Sequence, residues 1–125
     1  MDHGTALRMV SLVPVVKIKL GKFEVLTILR ILGEALQIAQ KENVRVETLI
    51  LAEFYLSWYK RSLSYELPGH QHQIKQQTIP LSVARVLHYR LRFEPATAHT
   101  QSILSNLDQI LVNMGRRPDY PITIN

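Results

Sequence analysis

Residues 46–65 constrain the fold most, because they carry two apolar faces on one helical period. Leu49, Ala52, Leu56, Tyr59 and Leu63 follow a 3-4 spacing that puts them on one side of a helix. Ile50, Leu51, Phe54, Trp58 and Tyr65 fall on roughly the opposite side. Glu53, Ser57, Lys60 and Ser64 make only a thin polar stripe between them. A helix apolar on both sides needs two things to pack against, and in a chain this small a second copy of the protein is a candidate for one of them.

The neighbouring segments supply candidates. Residues 23–41 also run at helical period, with Thr27, Arg30, Glu34, Gln37 and Lys41 on one narrow polar stripe. Val25, Ile28, Leu29, Ile31, Leu32, Ala35, Leu36, Ile38 and Ala39 cover most of the remainder, which predicts a central helix covered on several sides. Gly33 inside it lowers helix propensity and points to a close packing contact. A third helix, from Pro80 to Phe93, would bury Val83, Ala84, Leu87 and Leu91, with Pro80 in its first turn and Pro95 beyond its end. A fourth, about 98–114, is one-sided: Ile103, Leu104, Leu107, Ile110, Leu111 and Met114 face in, while Ser105, Asn106 and Gln109 face out. Gly115 stands where a C-terminal cap belongs, followed by Arg116 and Arg117 at the negative end of the helix dipole.

Two short segments alternate with a period of two instead. Val16, Ile18 and Leu20 are separated by Lys17 and Lys19, the pattern of a half-buried strand. The tail from Pro121 to Ile124 alternates as well and is the expected partner of that strand. The polar stretch 67–79, with Gln71, Gln73, Gln76 and Gln77, reads as an exposed loop, and residues 1–11 as a flexible end. The expected fold is therefore mainly α: one domain over residues 1–125, a bundle of about four helices, and a two-stranded β patch from segments 15–20 and 121–124. At 125 residues the chain can bury a core without staples.

Chemistry is harder to find. There is no cysteine, which excludes a disulfide framework, a thiolate metal site and a cysteine nucleophile. Gly-rich phosphate loops, a Gly-x-Ser-x-Gly elbow and a paired-histidine zinc motif are all absent. Neither the run 23–32 nor the run 9–16 is long and clean enough to cross a membrane, and the second lacks a small-residue cleavage pattern. A cytoplasmic location is the resulting expectation. His70-x-His72 has ligand-like spacing, yet no carboxylate or cysteine lies close to it, so an exposed polar loop accounts for it better. Met1-Asp2-His3 could chelate copper(II), as any free end with His third would. Glu53, His88, His99 and Asp108 could meet in space, but so could four such residues in any domain. No catalytic residue, cofactor, metal or small-molecule ligand is expected.

Two surfaces remain as candidates. Phe54, Trp58 and Tyr65, with Ile50, form an aromatic face suited to anchoring a protein interface, with Trp58 at its middle; the plainer account is core packing. Arg85, His88 and Arg92 fall within about 60° of one another on the third helix, with Arg90 nearby, as a phosphate-contacting ridge would. A solvated helix face is the plainer account there. The net charge of +5, from fifteen Lys and Arg against ten Asp and Glu, favours an anionic partner in a general way. The leading expectation is a non-enzymatic interaction module that oligomerises or docks onto a larger assembly. A nucleic-acid-binding accessory protein using the basic face comes second, and a small enzyme third.

Overall fold

A computed structural model describes residues 14–41 and 43–115. In chain order these are strand β1 (Val15–Leu20), helix α1 (Lys22–Ala39), helix α2 (Val46–Leu63) running into a 3-10 turn (Ser64–Glu66), strand β2 (Lys75–Pro80), helix α3 (Leu81–Leu91) and helix α4 (Ala98–Asn113). Four helices and a two-stranded sheet make the fold mainly α with a short β patch.

The alternation of β1 does what period two demands: Val16, Ile18 and Leu20 are buried and Val15, Lys17 and Lys19 exposed. Its partner among the described residues is a segment read from the sequence as loop. β1 pairs antiparallel with β2, Val16 opposite Ile79, Ile18 opposite Gln77 and Leu20 opposite Lys75. The 67–79 segment is thus a loop only in its first part. Its end is a strand whose inward positions are Gln77 and Ile79. Gln77 tolerates burial because its amide donates to the hydroxyl of Tyr65 at 3.2 Å. Segments 1–11 and 121–124 lie outside the described residues.

Both strands feed helices directly. Gly21 caps α1, its N–H donating to Glu24 Oε1 at 2.9 Å. Pro80 closes β2 and is the N-cap of α3, one position before the first turn in which it was expected. α1 buries Val25, Ile28, Ile31, Leu32 and Ala35, so it is covered along most of its length, but Leu26, Leu36 and Ile38 remain exposed. The close contact at Gly33 is real: a methyl group there would meet Tyr55 Cε1 at 3.4 Å, so the absent side chain admits the tyrosine ring. α3 buries Leu81, Val83, Ala84, Leu87 and Leu91, and α4 buries Ile103, Leu107 and Leu111.

α4 starts on Thr97, whose hydroxyl accepts from Thr100 N at 3.1 Å, while the buried Thr100 hydroxyl donates to Pro95 O at 3.0 Å. Gly115 follows with φ +71°, a left-handed position that suits glycine. Leu104 and Ile110 are half-buried against the core, and Met114 is exposed.

Candidate protein interface

Helix α2 decides which surface the chain offers. Its side carrying Leu51, Trp58 and Ser62, continued by Tyr65 on the 3-10 turn, is buried. Trp58 and Tyr65 are wholly inaccessible, and each has a polar atom that needs an acceptor. Trp58 Nε1 donates to Val25 O at 3.0 Å, and the Tyr65 hydroxyl donates to Leu20 O at 2.8 Å. The two aromatics therefore tie α2 to the start of α1 and to the end of β1. Phe54 is half-buried with its ring 5.9 Å from that of Trp58. The Arg61 guanidinium covers both rings, at 5.2 and 5.6 Å, and donates to Thr78 O on β2. Ile50 is half-buried against the core and lines a recess with Val86 and Tyr89.

Two of the four residues expected at an interface, Trp58 and Tyr65, are instead interior, bonded to the chain's own α1 and β1, while Phe54 and Ile50 are half-buried. The reason is directional: an indole N–H and a phenol O–H reach fixed backbone acceptors only in the interior.

The other apolar face is the one left bare. Leu49, Leu56, Tyr59 and Leu63 are each between 40% and 60% exposed, while Ala52 among them is small and shielded. Their spacing is that of alternating a and d positions over two heptads. Glu53 and Lys60, both exposed, flank it seven residues apart. Neither makes an ion pair among the described residues. The seam runs on through stacked rings, Tyr59 to Tyr55 at 6.3 Å, into an open groove of about 510 Å³ lined by Leu26, Leu29, Gly33, Leu36 and Tyr55. Periodicity had singled out this row; nothing in the sequence says which of two equal faces turns inward.

The basic ridge is incomplete. His88 is buried, its Nε2 3.5 Å from Asp108 Oδ1 on α4. Arg90 is engaged by acids from two places, Nη2 with Glu34 at 3.3 Å and Nε with Glu94 at 3.4 Å. Arg30 completes that cluster, 3.1 Å from Glu34 and 2.8 Å from Glu94, and the Glu94 hydrogen bond leads in raising the already high pKa of its guanidinium. Arg92 is exposed and lies over the Tyr89 ring at 5.2 Å. Arg85 is half-buried in a recess of about 480 Å³ with Arg45, Glu47, Ile50 and Tyr89. His88 and Arg90 thus drop out of the exposed set, leaving Arg85 and the capping Arg92 on either side of Tyr89. Counting charges on α3 alone missed Glu34, which α1 brings in from 56 residues away.

The remaining chemistry stays scattered. His88 and Asp108 meet, but His99 stacks on Phe23 with ring centroids 5.6 Å apart and Glu53 lies on the outer side of α2. His70 Nδ1 is 2.9 Å from Lys75 Nζ, which also donates to Ser64 O at 3.0 Å. Among the described residues no three His, Asp or Glu side chains are placed to hold a metal ion. Met1-Asp2-His3 lies outside those residues. No helix among them is long and apolar enough to cross a membrane.

Comparison with known protein families, with curated proteins and with solved structures gives no match.

Proposed function

We propose that this chain is a non-enzymatic interaction module that assembles with a second copy of itself through the outer face of α2. One observation carries the reading: Leu49, Leu56, Tyr59 and Leu63 stand exposed at coiled-coil spacing, with only Ala52 among them buried, although the other side of the helix already supplies the core. Isolated exposed leucines need no explanation, but several at coiled-coil spacing on one helix face mark a contact surface. Tyr59 and Tyr55 extend it with aromatic area of the kind that dominates interface energies.

The nucleic-acid reading keeps the net charge with Arg92 and the half-buried Arg85, but loses His88, which is buried, and Arg90, which is held by Glu34 and Glu94. A cytoplasmic location belongs to the same proposal and is checked by cell fractionation.

Light scattering coupled to size exclusion tests the function directly, across a wide concentration range and with or without mixed nucleic acid. The expected result is a dimer that dissociates on dilution and is indifferent to nucleic acid. A monomer at every concentration that shifts only when nucleic acid is added contradicts it.

A further inference from the structure

The proposed self-assembly leaves open how the two helices run, and the charges beside the seam answer that. On a heptad numbered from Leu49 as a, Ala52 is d, Leu56 a, Tyr59 d and Leu63 a. Glu53 and Lys60 then both occupy e, the position beside the seam whose partners depend on helix direction. In a parallel pair each e residue faces the g residue that precedes it on the other helix. Glu53 would face Thr48, and Lys60 would face Tyr55. Neither charge would find an opposite charge.

An antiparallel pair places e opposite e. A two-fold axis passing between Leu56 and Ser57 then sets Glu53 of each copy against Lys60 of the other, twice over. The same axis keeps the apolar positions in contact: Leu49 lies beside Leu63 of the other copy, and Leu56 packs against Leu56 and Tyr59. The two charges lie two helical turns apart, about 10.5 Å along the axis. That is too far for them to satisfy each other within one chain, and both are exposed.

Resting on the self-assembly reading, we infer that two copies of this chain dock antiparallel along α2, with reciprocal Glu53–Lys60 ion pairs closing the edges of the Leu49/Leu56/Leu63 seam. The pairing is self-complementary, as a two-fold interface requires. It specifies orientation and partner more than it adds affinity.

The test combines charge reversal with cross-linking in the full chain, whose lack of cysteine makes introduced thiols unique. Glu53→Lys and Lys60→Glu each put like charges together at both edges. Each single change is expected to weaken the dimer roughly fivefold, from two modest surface pairs. The double variant exchanges the partners and is expected to return to within about twofold of the parent. Separately, Leu49→Cys and Leu63→Cys chains are treated with a short bis-maleimide, alone and mixed. Antiparallel docking gives cross-linked product predominantly in the mixture.

Product from each variant alone, or a double variant no tighter than the singles, overturns the antiparallel arrangement. If the parent still dimerises in that case, and Leu56→Glu abolishes the dimer, the self-assembly reading stands without it. A parent that is monomeric throughout overturns both.

Discussion

The two sides of helix α2 both carry a run of apolar side chains and behave as opposites. Leu51, Trp58 and, just past the helix, Tyr65 are buried, and the polar atoms of Trp58 and Tyr65 reach Val25 O and Leu20 O. Leu49, Leu56 and Leu63 are half-exposed and carry no polar atom beyond the backbone. The inward side is directional: an N–H or O–H with one fixed acceptor specifies a single arrangement and is costly to expose wrongly. The outward side has no such anchor: its leucines offer apolar area alone. Under the proposed self-assembly, the permanent and the dissociable side differ chiefly in polar anchoring.

Removing the indole separates the two sides most sharply. Trp58→Ala takes away the largest buried side chain of α2 together with its bond to Val25 O. It is expected to cost about 3–5 kcal/mol in chemical denaturation. Trp58 fluorescence accordingly reports unfolding, and dilution of the folded protein should leave its emission unshifted. A loss below about 1 kcal/mol would break the comparison by removing Trp58 from the core.

A smaller effect comes from Tyr65→Phe. The ring volume is kept, but Leu20 O and the Gln77 amide lose their partner in the interior. The expected cost is about 1–3 kcal/mol. The same residue adds a pH signature. Burial foremost, and the negative Glu24 secondarily, push the Tyr65 phenol above its ordinary value, against the hydrogen bond from Gln77. The folded state therefore keeps this proton when the unfolded state gives it up. Its contribution is fully present below about pH 10 and is lost as pH rises through the folded value. Alkaline titration of stability should fall more steeply in the parent than in Tyr65→Phe; equal slopes would remove Tyr65 as the cause.

The smallest change is expected on the outward side. Leu56→Ala, measured at a concentration where the chain is monomeric, should shift stability by no more than about 0.5 kcal/mol. Alanine is the better helix former and little buried area is lost. A cost above about 2 kcal/mol would mean that Leu56 packs within its own chain, and the contrast between the faces would vanish.

Much of this architecture is legible in the sequence because it depends on local period. Val16, Ile18 and Leu20 announce β1, and the one-sided stripe through Ile103, Leu107 and Leu111 announces α4. What is missed depends on partners distant in the chain. The strand Lys75–Pro80 has Ile79 as its one inward aliphatic residue, and the inward Gln77 becomes acceptable only because Tyr65 lies above it. Arg90 looks like a free cation until α1 brings Glu34 alongside. For α2 the sequence shows two faces and the need for two coverings. Which face the rest of the chain would cover is set by Val25 O and Leu20 O, whose positions no period encodes.

Sedimentation velocity of Leu56→Glu beside the parent, with circular dichroism of both, asks whether the outer face of α2 holds two copies together. The parent is expected to sediment as a dimer at high concentration, while Leu56→Glu keeps the parent's helical spectrum and sediments as a monomer, because a carboxylate is tolerated in water but not in a dry contact. A variant that loses its helical spectrum, or one that sediments as the parent does, contradicts the assignment of the outer face of α2 as the contact surface.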